Sequence, residues 1–72
     1  MIRKQMGLPA RRFLEGWVEE VMTREEYGCN AYDEKRAIIN SCYAWKRDGY
    51  LIPEWVTDQV QEWSVDAALN SE

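Results

Sequence analysis

The groups in this chain that could do chemistry are thirteen carboxylates, nine cationic side chains and two thiols, with no imidazole among them. Without histidine, the commonest general base at neutral pH is missing. Cys29 and Cys42 lack the imidazole neighbour that makes a thiol a strong nucleophile. Two thiols also fall short of the about four Cys or His ligands of a closed zinc site. The glycines stand apart, at 7, 16, 28 and 49, and form no loop that would cradle a phosphate. The carboxylates fall mostly on polar helix faces, where water solvates them. These patterns argue against an enzyme and imply neither a cofactor nor a metal.

The distribution of charge is more informative. Beyond Arg47 the chain has no Lys or Arg, but it carries Asp48, Glu54, Asp58, Glu62, Asp66 and Glu72. Glu54, Asp58, Glu62 and Asp66 recur at every fourth residue, which stacks them as a ladder along one side of a helix. Like charges at that spacing repel by roughly 0.2–0.5 kcal/mol per pair. Three such pairs cost about 1 kcal/mol, a noticeable share of a small domain's stability. The opposite end mirrors the pattern: Arg3, Lys4, Arg11 and Arg12 occur there with no acid between them.

Three arrangements would accommodate the ladder. It could be a solvated face whose repulsion is screened by salt. It could pair with the basic arm of its own chain or of a neighbouring copy. It could also recognise a basic surface on a partner protein, such as one that normally binds nucleic acid. Trp55 lies at the ladder's margin, and exposed tryptophans are frequent binding anchors. The candidate partner-binding residues are therefore Glu54, Trp55, Asp58, Glu62 and Asp66.

Direct contact with nucleic acid is disfavoured. The second and third helices superficially resemble a helix-turn-helix, but the third, from Pro53 to Trp63, bears only negative charges. The chain's net charge is −4, and phosphate binding relies on Lys and Arg. Only the N-terminal arm could supply them. A membrane surface is disfavoured too, because Glu15, Glu19, Glu20, Glu25 and Glu26 lie where an interfacial helix needs cations. No apolar run approaches the roughly 20 residues that span a bilayer. Met1 to Arg12 has no apolar segment of the secretory type. The thiols read as unbridged and cytoplasmic, with Cys42 packed as a small apolar residue and Cys29 in a loop.

The elements that position these groups are helical. Seventy-two residues make one domain, which at this size buries only about 60% of its unfolded surface. The 46% hydrophobic content and four tryptophans suit a minimal core. The organisation expected is a basic arm over 1–8 and a three-helix domain over 9–70, with helices at about 9–26, 31–48 and 53–68. Pro9 and Pro53 suit first helical turns. Gly28 and Gly49 suit helix ends, and Asn30 suits an N-cap. Tyr50-Leu51-Ile52 forms a short apolar connector. Nothing alternates at period two, so no sheet is expected.

The core expected from periodicity is Phe13, Leu14, Trp17, Val18, Val21, Ile38, Ile39, Cys42, Val56, Val60 and Trp63, with Lys35 snorkelling from the middle of the second helix. Ala37, Ser41 and Ala44 make a strip of small residues suited to close helix packing. The apolar arc of the first helix covers about half its circumference, more than one neighbour would hide. The fold class is thus all-α, a small three-helix domain with scope for completion as a homodimer.

The function expected is a small acidic, non-catalytic protein-binding module, an adaptor or inhibitor of a partner with a basic surface. The alternative is a dimeric DNA-binding regulator of transcription or replication that uses the basic arm. A third reading is a subunit that completes a larger assembly. In being short, acidic, tryptophan-rich and helical, the chain resembles accessory proteins of bacteriophages and bacterial mobile elements, a likeness that no motif carries.

Overall fold

Proline and glycine punctuate three helices. The computed structural model describes residues 4–70, with side chains as far as Asp66. Arg3 and Glu72 lie outside the described residues, as do the side chains of Ala67 and Leu69. Helix α1 (Leu8–Glu26) carries Pro9 in its first turn, where a missing N–H leaves nothing unsatisfied. It ends at Gly28, whose φ of +82° is reached without the steric cost that a Cβ would bring. There the Gly28 N–H donates to the Glu25 carbonyl at 3.0 Å and the Cys29 N–H to the Arg24 carbonyl at 2.9 Å. This pair of bonds is a Schellman closure.

Helix α2 (Tyr32–Arg47) begins one residue later than Asn30 as N-cap would place it. Ala31 holds the cap position, and the Asn30 Oδ1 instead accepts the Tyr32 N–H at 3.1 Å. Asp33 and Glu34 in its first turn, and Lys46 and Arg47 in its last, both complement the helix dipole. Gly49, at φ +92°, closes it. Helix α3 (Glu54–Asn70) follows Pro53, whose carbonyl accepts the Thr57 N–H at 3.0 Å.

A sheet does form, contrary to the expectation from sequence. Strand β1 (Lys4–Gln5) pairs in parallel with β2 (Tyr50–Leu51), Lys4 opposite Tyr50 and Gln5 opposite Leu51. The Lys4 N–H also donates to the Gly49 carbonyl at 2.9 Å. Two-residue strands are too short to alternate, so period-two reasoning could not find them. The pairing changes the reading of the N-terminal arm, because its described part is docked on the α2–α3 connector. Met6, next after β1, is only 8% exposed and joins the core.

The ion pairs Arg24–Glu34 and Lys35–Glu25 join the end of α1 to the start of α2 beside their connecting turn. Glu15 contacts Trp55 and Glu25 contacts Trp63, so α1 and α3 run the same way. Between the three helices lie Leu14, Val18 and Val21, then Ala31, Ile38 and Cys42, then Val56, Val60 and Trp63. Trp17 and Ile39 pack at the core's margin without being fully covered. Phe13 departs from expectation: it is 70% exposed. Its neighbours cover the middle of the apolar arc on α1 and leave this edge to solvent.

The two thiols sit in different environments. Cys29 is exposed and Cys42 buried, and burial pushes the Cys42 thiol above its ordinary pKa against a smaller opposing effect of Lys46. Since the thiolate is the nucleophile, a water-soluble alkylating reagent at neutral pH should label Cys29 in the folded protein. Cys42 should react only once denaturant is added, and peptide mass spectrometry reads both sites. Equal labelling of the two in the native protein would contradict this packing.

Candidate partner-binding surface

Glu54, Asp58, Glu62 and Asp66 are all exposed along α3. A four-residue step overshoots one helical turn by about 40°, so the ladder winds as it descends. Glu54 and Asp58 flank Thr57 and Gln61, which line a groove between α2 and α3. Glu62 and Asp66 have moved round to the other side, where they share a groove with Met22, Glu25 and Glu26 of α1. The ladder therefore serves two surfaces.

Trp55 is 36% exposed, but its polar atom is already engaged. Its Nε1–H donates to the Glu15 Oε2 at 2.8 Å, and the Glu15 Oε1 lies 3.4 Å from the Arg11 Nε. Trp55 thus offers the edge of a ring, held in place from α1. Trp63 is tied in the same manner but is almost wholly buried, at 3% exposure. Its Nε1–H donates to the Glu25 Oε1 at 3.2 Å. The other oxygen of Glu25 pairs with the Lys35 ammonium, which lies 5.8 Å from the Trp63 ring centroid. One carboxylate therefore joins α1, α2 and α3. Lys35 does reach outward from the middle of the α2 face as a snorkelling lysine would, but it ends on Glu25.

Glu15 and Glu25 are the residues that sequence reasoning missed. The signal available was indirect: a tryptophan packed in a core needs an acceptor for its N–H. Spacing along α1 alone does not say which carboxylates meet α3.

No known protein family, curated protein or solved structure matches the chain.

The described ion pairs leave the ladder without a cation, as they do the exposed Glu19, Glu26, Asp33 and Asp48. Among the described residues, Arg11 pairs with Glu15, Arg24 with both Glu20 and Glu34, and Lys35 with Glu25. Glu34 first and Glu20 second raise the Arg24 pKa further above its already high value. None of these described pairs includes Glu54, Asp58, Glu62 or Asp66. The cations of the N-terminal segment are partly engaged as well. The Lys4 ammonium lies 4.9 Å from the centroid of the Tyr50 ring, which meets Trp45 edge-on at 5.3 Å. Arg12 is exposed. No described helix is long and apolar enough to cross a membrane.

Proposed function

We propose that this chain is a non-catalytic protein-binding module that engages a basic surface on its partner through α3. One contrast supports this reading. Glu15, Glu25 and Glu34, the acids of α1 and α2 that bond to another element, each have an Arg or Lys partner, whereas the exposed α3 ladder, and Glu26 of α1 in the groove beside Glu62 and Asp66, have no described ion pair. A row of like charges that costs stability is relieved when cations from a second molecule approach it. Such a row also steers association. The partly exposed Met22 adds apolar area beside Glu62 and Asp66, and the Trp55 ring, fixed by Glu15, adds more nearer the start of α3. Charged and apolar contacts then fall on one face, as at a typical interface.

The test uses a cationic amphipathic helical peptide of alternating leucine and lysine blocks, and a duplex DNA of similar length, titrated separately. The wild-type chain should bind the peptide with an affinity that falls as salt rises. Replacing Glu62→Lys with Asp66→Lys should weaken binding at least tenfold, while the charge-matched control Glu19→Lys with Asp33→Lys should change it little. Equal loss in both variants would mean that net charge alone attracts the peptide, which overturns the assignment of this face. Salt-sensitive DNA binding without peptide binding would support the regulator reading instead. That reading has less support, since Lys4 and Arg11 are held against Tyr50 and Glu15.

A further inference from the structure

The other half of the ladder borders a different feature. Ile39, Cys42, Tyr43 and Lys46 of α2 and Thr57, Val60, Gln61 and Ser64 of α3 line a groove of about 340 Å³ on the face where these two helices meet solvent. Its floor is apolar, since Cys42 and Val60 are buried and Ile39 is partly so. Tyr43 stands on its rim at 65% exposure. Lys46 and Arg47 lie on the α2 side of this face, with Arg36 further along the same outward stripe. Glu54 and Asp58 lie on the α3 side. All five are exposed, and none forms an ion pair with another described residue.

We propose that this face binds a second copy of the chain, with the two molecules related by a two-fold axis running along the helices. The charge pattern selects that occupant. Helix α2 ends at Arg47 and α3 begins at Glu54, so the cations and the acids stand at the same end of an antiparallel pair, on opposite sides of the groove. A two-fold axis parallel to the helices lays α2 of one copy on α3 of the other at the same height. Lys46 and Arg47 then face Glu54 and Asp58 of the partner copy, and the symmetry makes that contact twice. The Tyr43 rings fold over the joined groove floors, giving a four-helix arrangement with a shared apolar seam. A two-fold axis perpendicular to the helices and lying in the interface would instead lay each helix reversed on its own copy, which takes Lys46 and Arg47 to the far end of the other α2 and leaves Glu54 and Asp58 facing α3 without them. A foreign basic partner would leave Lys46 and Arg47 facing like charge, and an acidic one would do the same to Glu54 and Asp58. The face suits a partner that carries both signs in this order, which is the face itself.

This assignment leaves Trp55, Glu62 and Asp66 outside the dimer contact, so its failure and that of the proposed partner surface are separable.

Sedimentation equilibrium of the full chain over a wide concentration range provides the test, repeated as salt is raised. The wild-type chain should self-associate to a dimer, and the association should weaken by at least tenfold from low to high salt, since the contacts are exposed ion pairs. Lys46→Glu with Arg47→Glu should be monomeric, and so should Glu54→Lys with Asp58→Lys. Mixing these two variants should restore a one-to-one dimer, a result that also shows both to be folded. A wild-type chain that stays monomeric at every concentration and salt overturns the proposal. A dimer indifferent to salt, or a mixture that stays monomeric although both variants keep their helical circular dichroism, overturns the charge-paired geometry.

Discussion

Replacing Ile38 by alanine should lower stability by roughly 2–5 kcal/mol, the range for removing a large aliphatic group from a closed core. Ile38 has no exposed surface and lies with Val18, Val21 and Val56 among the most deeply buried side chains. A domain this small has no more than about 5 kcal/mol in total, so the variant should be largely unfolded near room temperature. Circular dichroism at 222 nm during a urea titration reads the change, with the midpoint moving towards zero denaturant. Phe13→Ala is the informative counterpart. Phenylalanine removed from a core costs about 3–5 kcal/mol, yet at 70% exposure Phe13 should cost no more than about 0.5 kcal/mol, as surface positions do. A large loss at Phe13 with a small one at Ile38 would reverse the assignment of the core.

The second large effect is expected at Glu25. Glu25→Ala removes the acceptor of the Trp63 N–H and the partner of Lys35 in one step. A buried donor left without an acceptor costs about 1–3 kcal/mol, and Trp63 is 3% exposed. Glu25→Gln should do much less harm. Its amide oxygen can still accept the indole N–H, and only the ion pair is lost, which at 38% and 20% side-chain exposure contributes less than about 1 kcal/mol. The urea midpoints should therefore fall in the order wild type, Gln, Ala, with the wider gap between Gln and Ala. Equal loss in both variants would assign the effect to charge and not to the hydrogen bond. Glu20→Gln, on the exposed side of Arg24, should leave the midpoint nearly unchanged.

The helices were legible because local signals fix them. Pro9, Gly28, Gly49 and Pro53 act within a turn of their own positions, and the apolar periodicity of Leu14, Val18 and Val21 needs no knowledge of the neighbouring helix. What escaped was non-local. Met6 reads as part of a basic arm because nothing near it is patterned, and its burial depends on pairing with residues some forty positions away. Phe13 fails for the complementary reason. Periodicity places a residue on an apolar arc, but the width of the arc that is covered depends on where the other helices lie. The candidate surface shows the same division. The ladder could be read from spacing, but the winding that leaves Glu54 and Asp58 outside the lining of the α2–α3 groove and brings Glu62 and Asp66 into the α1–α3 groove required α1 and α2 in place. The tether on Trp55 likewise required Glu15 to be opposite it.

The parallel pairing of Lys4–Gln5 with Tyr50–Leu51 has a consequence for the order in which the molecule assembles. Helical turns and the α1–α2 corner join residues close in sequence, and such contacts form rapidly. The ladder joins the beginning of the chain to its final third, and its acceptors exist only after α2 has ended at Gly49. During synthesis on the ribosome Lys4 and Gln5 emerge well before Tyr50 and Leu51, and must wait for them before they find their seat. Strand β1 is made before its partner and placed only after it, so Met6 closes the base of the core as a late step of folding.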